Sequence, residues 1–160
     1  MGRFLSRAIP AAAAASLLAA APAQAELVNA ANPAAIKAIV ESQGWPATLI
    51  GKPGDDPYIE STRNGLKFLV LFMNCSEGRN CKTLQYYMGF SDAKGVSFEK
   101  LNQWNKEKRF GRAYRDNDGD PVLEMDVDLD FDGIPRQNLG ETFNTWASLM
   151  DSFRAFVFEE

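Results

Sequence analysis

The sequence predicts an α+β fold, an antiparallel sheet with helices packed on it. Three observations predict it. Asn64-Gly65 joins two strand-like runs, and a tight turn of two residues tolerant of positive φ makes an antiparallel hairpin. Residues 122–131 carry acids at every second position towards their end, the mark of a strand with one wet face. The last stretch repeats apolar residues at helical spacing instead. Strands joined by tight turns and followed by a helix give α+β rather than a parallel α/β sheet.

The elements run in the order α-β-β-β-β-α-β-β-α. Asn32-Pro33 opens the first helix, Asn as cap and Pro in the first turn. Ile36, Ile39 and Val40 form its stripe, and Gly44 stops it. Residues 47–51 make a short strand, and Gly54-Asp55-Asp56-Pro57 makes a turn. The hairpin follows, with arms 58–63 and 66–74. Its second arm is almost wholly apolar, as a central strand is. Residues 83–90 return as the next strand. Ser97 starts a second helix with Phe98, Leu101 and Trp104 as its stripe. Lys106, Lys108 and Arg109 fall in its last turn, where cations suit the carbonyl end, before Gly111. A second hairpin joins 112–115 to 122–131 through Asn117-Asp118-Gly119-Asp120. Val127, Leu129 and Phe131 face inward, and Asp126, Asp128, Asp130 and Asp132 face outward. The last helix starts at Asn138, capped with Glu141. Phe143, Trp146, Ala147, Met150, Phe153 and Val157 form its stripe, which Leu149 and Phe156 widen.

The N-terminus carries an address. Arg3 and Arg7 precede an alanine- and leucine-rich run over 8–21, and Ala23-Gln24-Ala25 has the small-x-small form of a cleavage site. A cleaved signal peptide is expected over 1–25, with a single domain over 26–160 in the periplasm or outside the cell. The run is shorter than the roughly 20 residues a membrane span needs, and no stable membrane anchor is expected. Losing this segment removes two arginines and no acid, so the net charge goes from −4 to −6. Such a balance points away from nucleic acid and from anionic membranes.

Cys75 and Cys81 are the two cysteines. In an oxidising compartment a disulfide is the default for such a pair, worth about 2 kcal/mol over so small a loop. The spacing is not a redox one, and two thiolates alone make a poor zinc site. The chain has no histidine, which removes Ser-His and Cys-His relays and His-containing zinc sites.

Three segments resemble exported members of the YbjN domain family, labelled bacterial sensory transduction regulators. They are Cys75-x5-Cys81-Lys82-x-Leu84-Gln85-Tyr86, Trp104-Asn105-x3-Arg109-Phe110-Gly111-Arg112-Ala113-Tyr114, and Asp118-Gly119-Asp120-Pro121-Val122-Leu123-Glu124-Met125-Asp126. The resemblance spans residues 33–158. It implies a fold like that of the type III secretion chaperones, a twisted antiparallel sheet with helices on one side. It carries no catalytic residues.

The candidate sites follow. Asn105 and Arg109 lie four apart on one helix face and, with Tyr114, line either a polar contact patch or a structural network joining helix to hairpin. The last helix has a wide aromatic band that includes Trp146 and Phe153, serving either the core alone or also a partner. The run Asp128, Asp130, Asp132 and Gly133 starts like a calcium loop, but its twelfth position is Leu139 in place of Glu. The cations at 106, 108, 109, 112 and 115 read either as a site for an anion or an acidic partner or, by preference, as a helix end paired with the acidic strand. The expected function is an exported, non-enzymatic interaction module of the YbjN type. It needs no cofactor and holds a protein or peptide partner, or a second copy as a homodimer. A calcium-dependent module is the alternative, and a carboxylate-based hydrolase the third reading.

Overall fold

The computed structural model describes residues 25–158. Apart from Ala25, the expected leader lies outside the described residues. The elements are β1 (Leu27–Val28), α1 (Pro33–Ser42), β2 (Ala47–Ile50), β3 (Tyr58–Arg63), β4 (Leu66–Met73), β5 (Thr83–Gly89), α2 (Phe98–Glu107), β6 (Arg112–Arg115), β7 (Pro121–Asp128), β8 (Ile134–Pro135) and α3 (Arg136–Phe158). β1 and β8 form a two-stranded ribbon. The other six strands form one sheet, in the order β2-β3-β4-β5-β7-β6. All neighbouring strands are antiparallel. The expected α+β order holds, and β1 and β8 are the addition.

Turn chemistry sets the register. Asn64 and Gly65 both take positive φ, and the hairpin pairs Arg63 with Leu66. Paired residues share a face, so rows can be followed across the sheet. Ile59, Val70, Tyr86 and Met125 form one row, and all are buried. The helices pack on this side. Tyr86 stacks on Phe143 of α3 at 4.7 Å and its hydroxyl meets Thr142 Oγ1 at 2.7 Å. Ile36, Ile39 and Val40 of α1 and Leu101 and Trp104 of α2 join the same core.

Several elements depart from expectation for local reasons. α2 stops at Glu107, with Lys108 extended, so Arg109 lies beyond the helix and no longer shares a face with Asn105. Positive φ falls on Phe110 rather than on Gly111. Gly111 serves closeness instead, since a Cβ there would stand 3.1 Å from both Leu123 and Leu149. Phe98 is exposed rather than in the stripe, and the Arg115 guanidinium lies 4.6 Å over its ring. α3 begins at Arg136, and Asn138 is not its cap. The main-chain carbonyl of Glu26 takes the Arg136 N–H at 2.8 Å, so the β1–β8 ribbon starts the helix early. β7 ends at Asp128. The Asp128 carboxylate accepts the Asp130 N–H, and the Asp130 carboxylate the Phe131 N–H. These short-range bonds curl the chain outward, leaving Phe131 at positive φ and 93 % exposed instead of inward-facing.

The disulfide joins Cys75 to Cys81. Its loop packs closely on the β2–β3 connection: Gly78 has positive φ, and a Cβ there would collide with the Asp55 carbonyl.

Candidate functional site

The face turned away from the helices is the candidate site. One row crosses all six strands: Thr48, Glu60, Leu69, Tyr87, Glu124 and Arg112. Beside it run Ile50, Tyr58, Leu71, Gln85 and Asp126, then Met73, Thr83 and Asp128. No element packs over these rows among the described residues, and Leu69, Leu71, Gln85 and Tyr87 keep partial solvent access.

A polar belt is built on the β5–β7–β6 part of this face. The turn at 116–120 pairs Arg115 with Pro121, which sets Arg112 opposite Glu124 and Tyr114 opposite Val122. Arg112 donates from Nε and a terminal nitrogen to Glu124 Oε2, at 2.8 and 2.6 Å. The Tyr114 hydroxyl donates to Glu124 Oε1 at 2.7 Å. Glu124 is only 5 % exposed, and a buried carboxylate needs such partners. Gln85 donates to Asp126 at 2.8 Å, and Arg112 lies 4.0 Å from the second Asp126 oxygen. The Tyr114 hydroxyl is held above its ordinary range, by burial first and by the bond to Glu124 next. Tyr87 is raised too, by burial and then by the charges of Asp116, Glu124 and Asp120. Both oxygens of Glu124 are engaged, so it braces the belt and is not a free general base.

The structure separates the residues that the sequence grouped. Asn105 is a clamp: its amide accepts the Ala113 N–H at 2.7 Å and donates to the Ala113 carbonyl at 2.9 Å. Of the two readings offered for it, the network joining helix to hairpin is the one observed. Arg109 lies over the Phe110 ring at 4.8 Å, outside the belt. Tyr114 is in the belt, with Arg112 and Glu124 rather than Asn105 and Arg109.

Trp146 and Phe153 are fully buried and offer no side chain to a partner. The excess width of their aromatic band is covered from within. Trp104 of α2 sits 5.0 Å from Phe153 and 5.3 Å from Phe156, and Phe90 sits 5.2 Å from Phe158. Asp128, Asp130 and Asp132 do not converge. Among the described residues, no three His, Cys, Asp or Glu side chains are placed to hold a metal. Asp130 turns to Lys82 at 3.3 Å.

Glu124, Gln85 and Tyr87 are the residues sequence reading missed. The signal was present. The Asn117–Asp120 turn fixes the register of the second hairpin, and alternation from Asp126 back to Glu124 puts both on one face opposite Arg112.

A family model, YbjN, described as "Putative bacterial sensory transduction regulator", matches residues 32–159. No characterised protein and no solved structure matches the chain.

Proposed function

The chain belongs to the YbjN family, and from that premise we propose that it is an exported, non-enzymatic interaction module that holds a protein partner on the open face of its sheet. The family description names a regulator and no reaction. The observation that carries the reading is the one-sided layering. The helices bury the row Ile59, Val70, Tyr86 and Met125, while the rows with Leu69, Leu71 and Tyr87 have no element over them among the described residues. A sheet face mixing leucine and tyrosine with a braced polar belt has the make-up of a contact surface, apolar in the middle and polar at the rim. Export rests on the leader pattern over 1–25. The face and the leader are separate supports.

The test is recovery from the cell envelope. The full chain carries a C-terminal tag, is crosslinked in the cell, and its intact mass is read. One enriched protein, lost in a Leu71→Asp variant that keeps its melting temperature, supports the reading. A partner that stays bound to Leu71→Asp refutes the face. A recovered chain that begins at Glu26 supports export, and one that keeps residues 1–25 refutes it.

A further inference from the structure

We infer that the partner brings a cationic amphipathic segment to the open face, its apolar side chains over β4 and β5 and its Lys or Arg side chains over β7. The inference rests on the open-face reading above and adds the chemistry of what binds there. The face is divided. Tyr58 on β3, Leu69, Leu71 and Met73 on β4, and Tyr87 on β5 form its apolar part. Asp126 and Asp128 on β7 form its acidic part. The two parts lie about 10 Å apart from β4 to β7, two strand spacings, which is the width of one helix or of two paired strands.

The charge on the acidic part is only partly compensated. The face carries one charged pair of strand positions at its other end, Glu60 of β3 and Lys67 of β4. On the β7 side, among the described residues, the cation is Arg112, and its two shortest bonds go to Glu124. Asp126 stands 4.0 Å from it and takes its hydrogen bond from the neutral amide of Gln85. Among the described residues Asp128 accepts only a main-chain N–H, that of Asp130. Asp126 and Asp128 are both exposed, and the sequence as a whole is acidic. The belt thus uses its arginine on the buried carboxylate and leaves the two outer carboxylates for a partner. Charge complementarity favours a cation there and rejects an acidic segment, because like charges facing each other at an interface are strongly unfavourable. An anionic membrane is rejected on the same ground.

The test uses the full chain and two capped 18-residue peptides of leucine with lysine and of leucine with glutamate, both patterned as amphipathic helices. Binding is followed by calorimetry and by amide shifts. The leucine–lysine peptide is expected to bind and to shift residues of β4, β5 and β7. Its affinity should fall about tenfold between 50 and 500 mM salt, as screening requires. Asp126→Asn with Asp128→Asn should weaken it at least fivefold, and both amides keep the oxygen that accepts the present hydrogen bonds. Glu107→Gln with Glu141→Gln, which removes equal charge from the exposed sides of α2 and α3, should leave it unchanged. Equal loss in the two double variants means attraction to net charge alone and overturns the inference. Tight binding of the leucine–glutamate peptide, or no binding of the lysine peptide at 1 mM, also overturns it. If Leu71→Asp abolishes binding but Asp126→Asn with Asp128→Asn does not, the open face stands and its cationic partner falls. If Leu71→Asp binds as well as the parent chain, the open-face reading falls with it.

Discussion

The two edges of the sheet end in different ways. β6 is closed by a side chain: the Asn105 amide takes both the N–H and the C=O of Ala113, as another strand would. At its far end Arg115 bonds the Val96 carbonyl and stacks on Phe98. β2 pairs with β3 alone. It carries no charge, its Thr48 is exposed and its Leu49 is 37 % exposed, and among the described residues no side chain bonds its outer main chain. An exposed edge is usually blunted by charge, a bulge or a cover. The closed edge is the one next to the Arg112–Glu124–Tyr114 belt. A four-residue strand is too short to hold such a belt in place by its own ladder, and α2, which enters the chain between β5 and β6, supplies the fastening. The difference teaches that the polar belt lies on the fixed side of the sheet.

The largest effect should come from undoing the clamp. Asn105→Ala leaves two main-chain groups of buried Ala113 without their partner, a cost of about 2 kcal/mol. Denaturant unfolding measures it, and amide exchange at Ala113 should speed up to that of an open edge. A loss below about 0.5 kcal/mol would mean that the two edges are equivalent after all.

Opening the disulfide acts at the other side. Cys75→Ser with Cys81→Ser should cost about 2 kcal/mol by the loop-entropy estimate. The loss should be matched in the parent chain by adding reductant. Because Gly78 is packed against Asp55 in the β2–β3 connection, exchange should rise in residues 51–57 and not in β6. A rise in β6 as well would mean that the sheet loosens as one body.

Tyr114→Phe probes the belt more lightly. Glu124 Oε1 loses its donor, at a cost of about 1 kcal/mol. The pH dependence has a definite sign. Burial, then the bond to Glu124, raises the Tyr114 hydroxyl above the ordinary tyrosine value of 10.0. The folded protein therefore holds that proton more tightly than the unfolded chain. The stability this gives is complete below about pH 10 and is lost as pH rises towards the folded value. Tyr86 and Tyr87 are raised in the same direction, so Tyr114→Phe should shallow the fall in stability above pH 10 without abolishing it.

Much of this was legible in the chain, because the strongest signals were local. Asn64-Gly65 and the turn at 116–120 set two hairpins, and the caps at Asn32 and Ser97 set two helix starts. What was not legible depended on distant partners. Pairing of β5 with β7 across α2 decides which strands become edges, and no turn records it. The aromatic band of α3 looked too wide for one sheet because Trp104, on another helix, covers the rest. β1 and β8 have two residues each, too few to show a period. Phe131 followed the alternation of its strand in sequence, yet the carboxylates of Asp128 and Asp130 bond the main chain first and end the strand.

The smallest effect is expected at the bare edge, where it sharpens the comparison most. Leu49 shares its row with Ile59, on the helix side, but sits at the rim beside Pro33, Pro53 and Pro57, which with it line a cavity of about 640 Å³. A lysine there can lay its methylenes over the same prolines and keep its charge in water. Leu49→Lys should change stability by less than about 0.5 kcal/mol. It should also lower light scattering on heating at high concentration, since a charge on an edge strand opposes edge-to-edge pairing. Asn105→Ala should raise scattering in the same assay. A loss of more than about 1 kcal/mol in Leu49→Lys would place Leu49 in the core. Equal scattering in all three proteins would mean that neither edge directs association, and the contrast between them would then be one of stability alone.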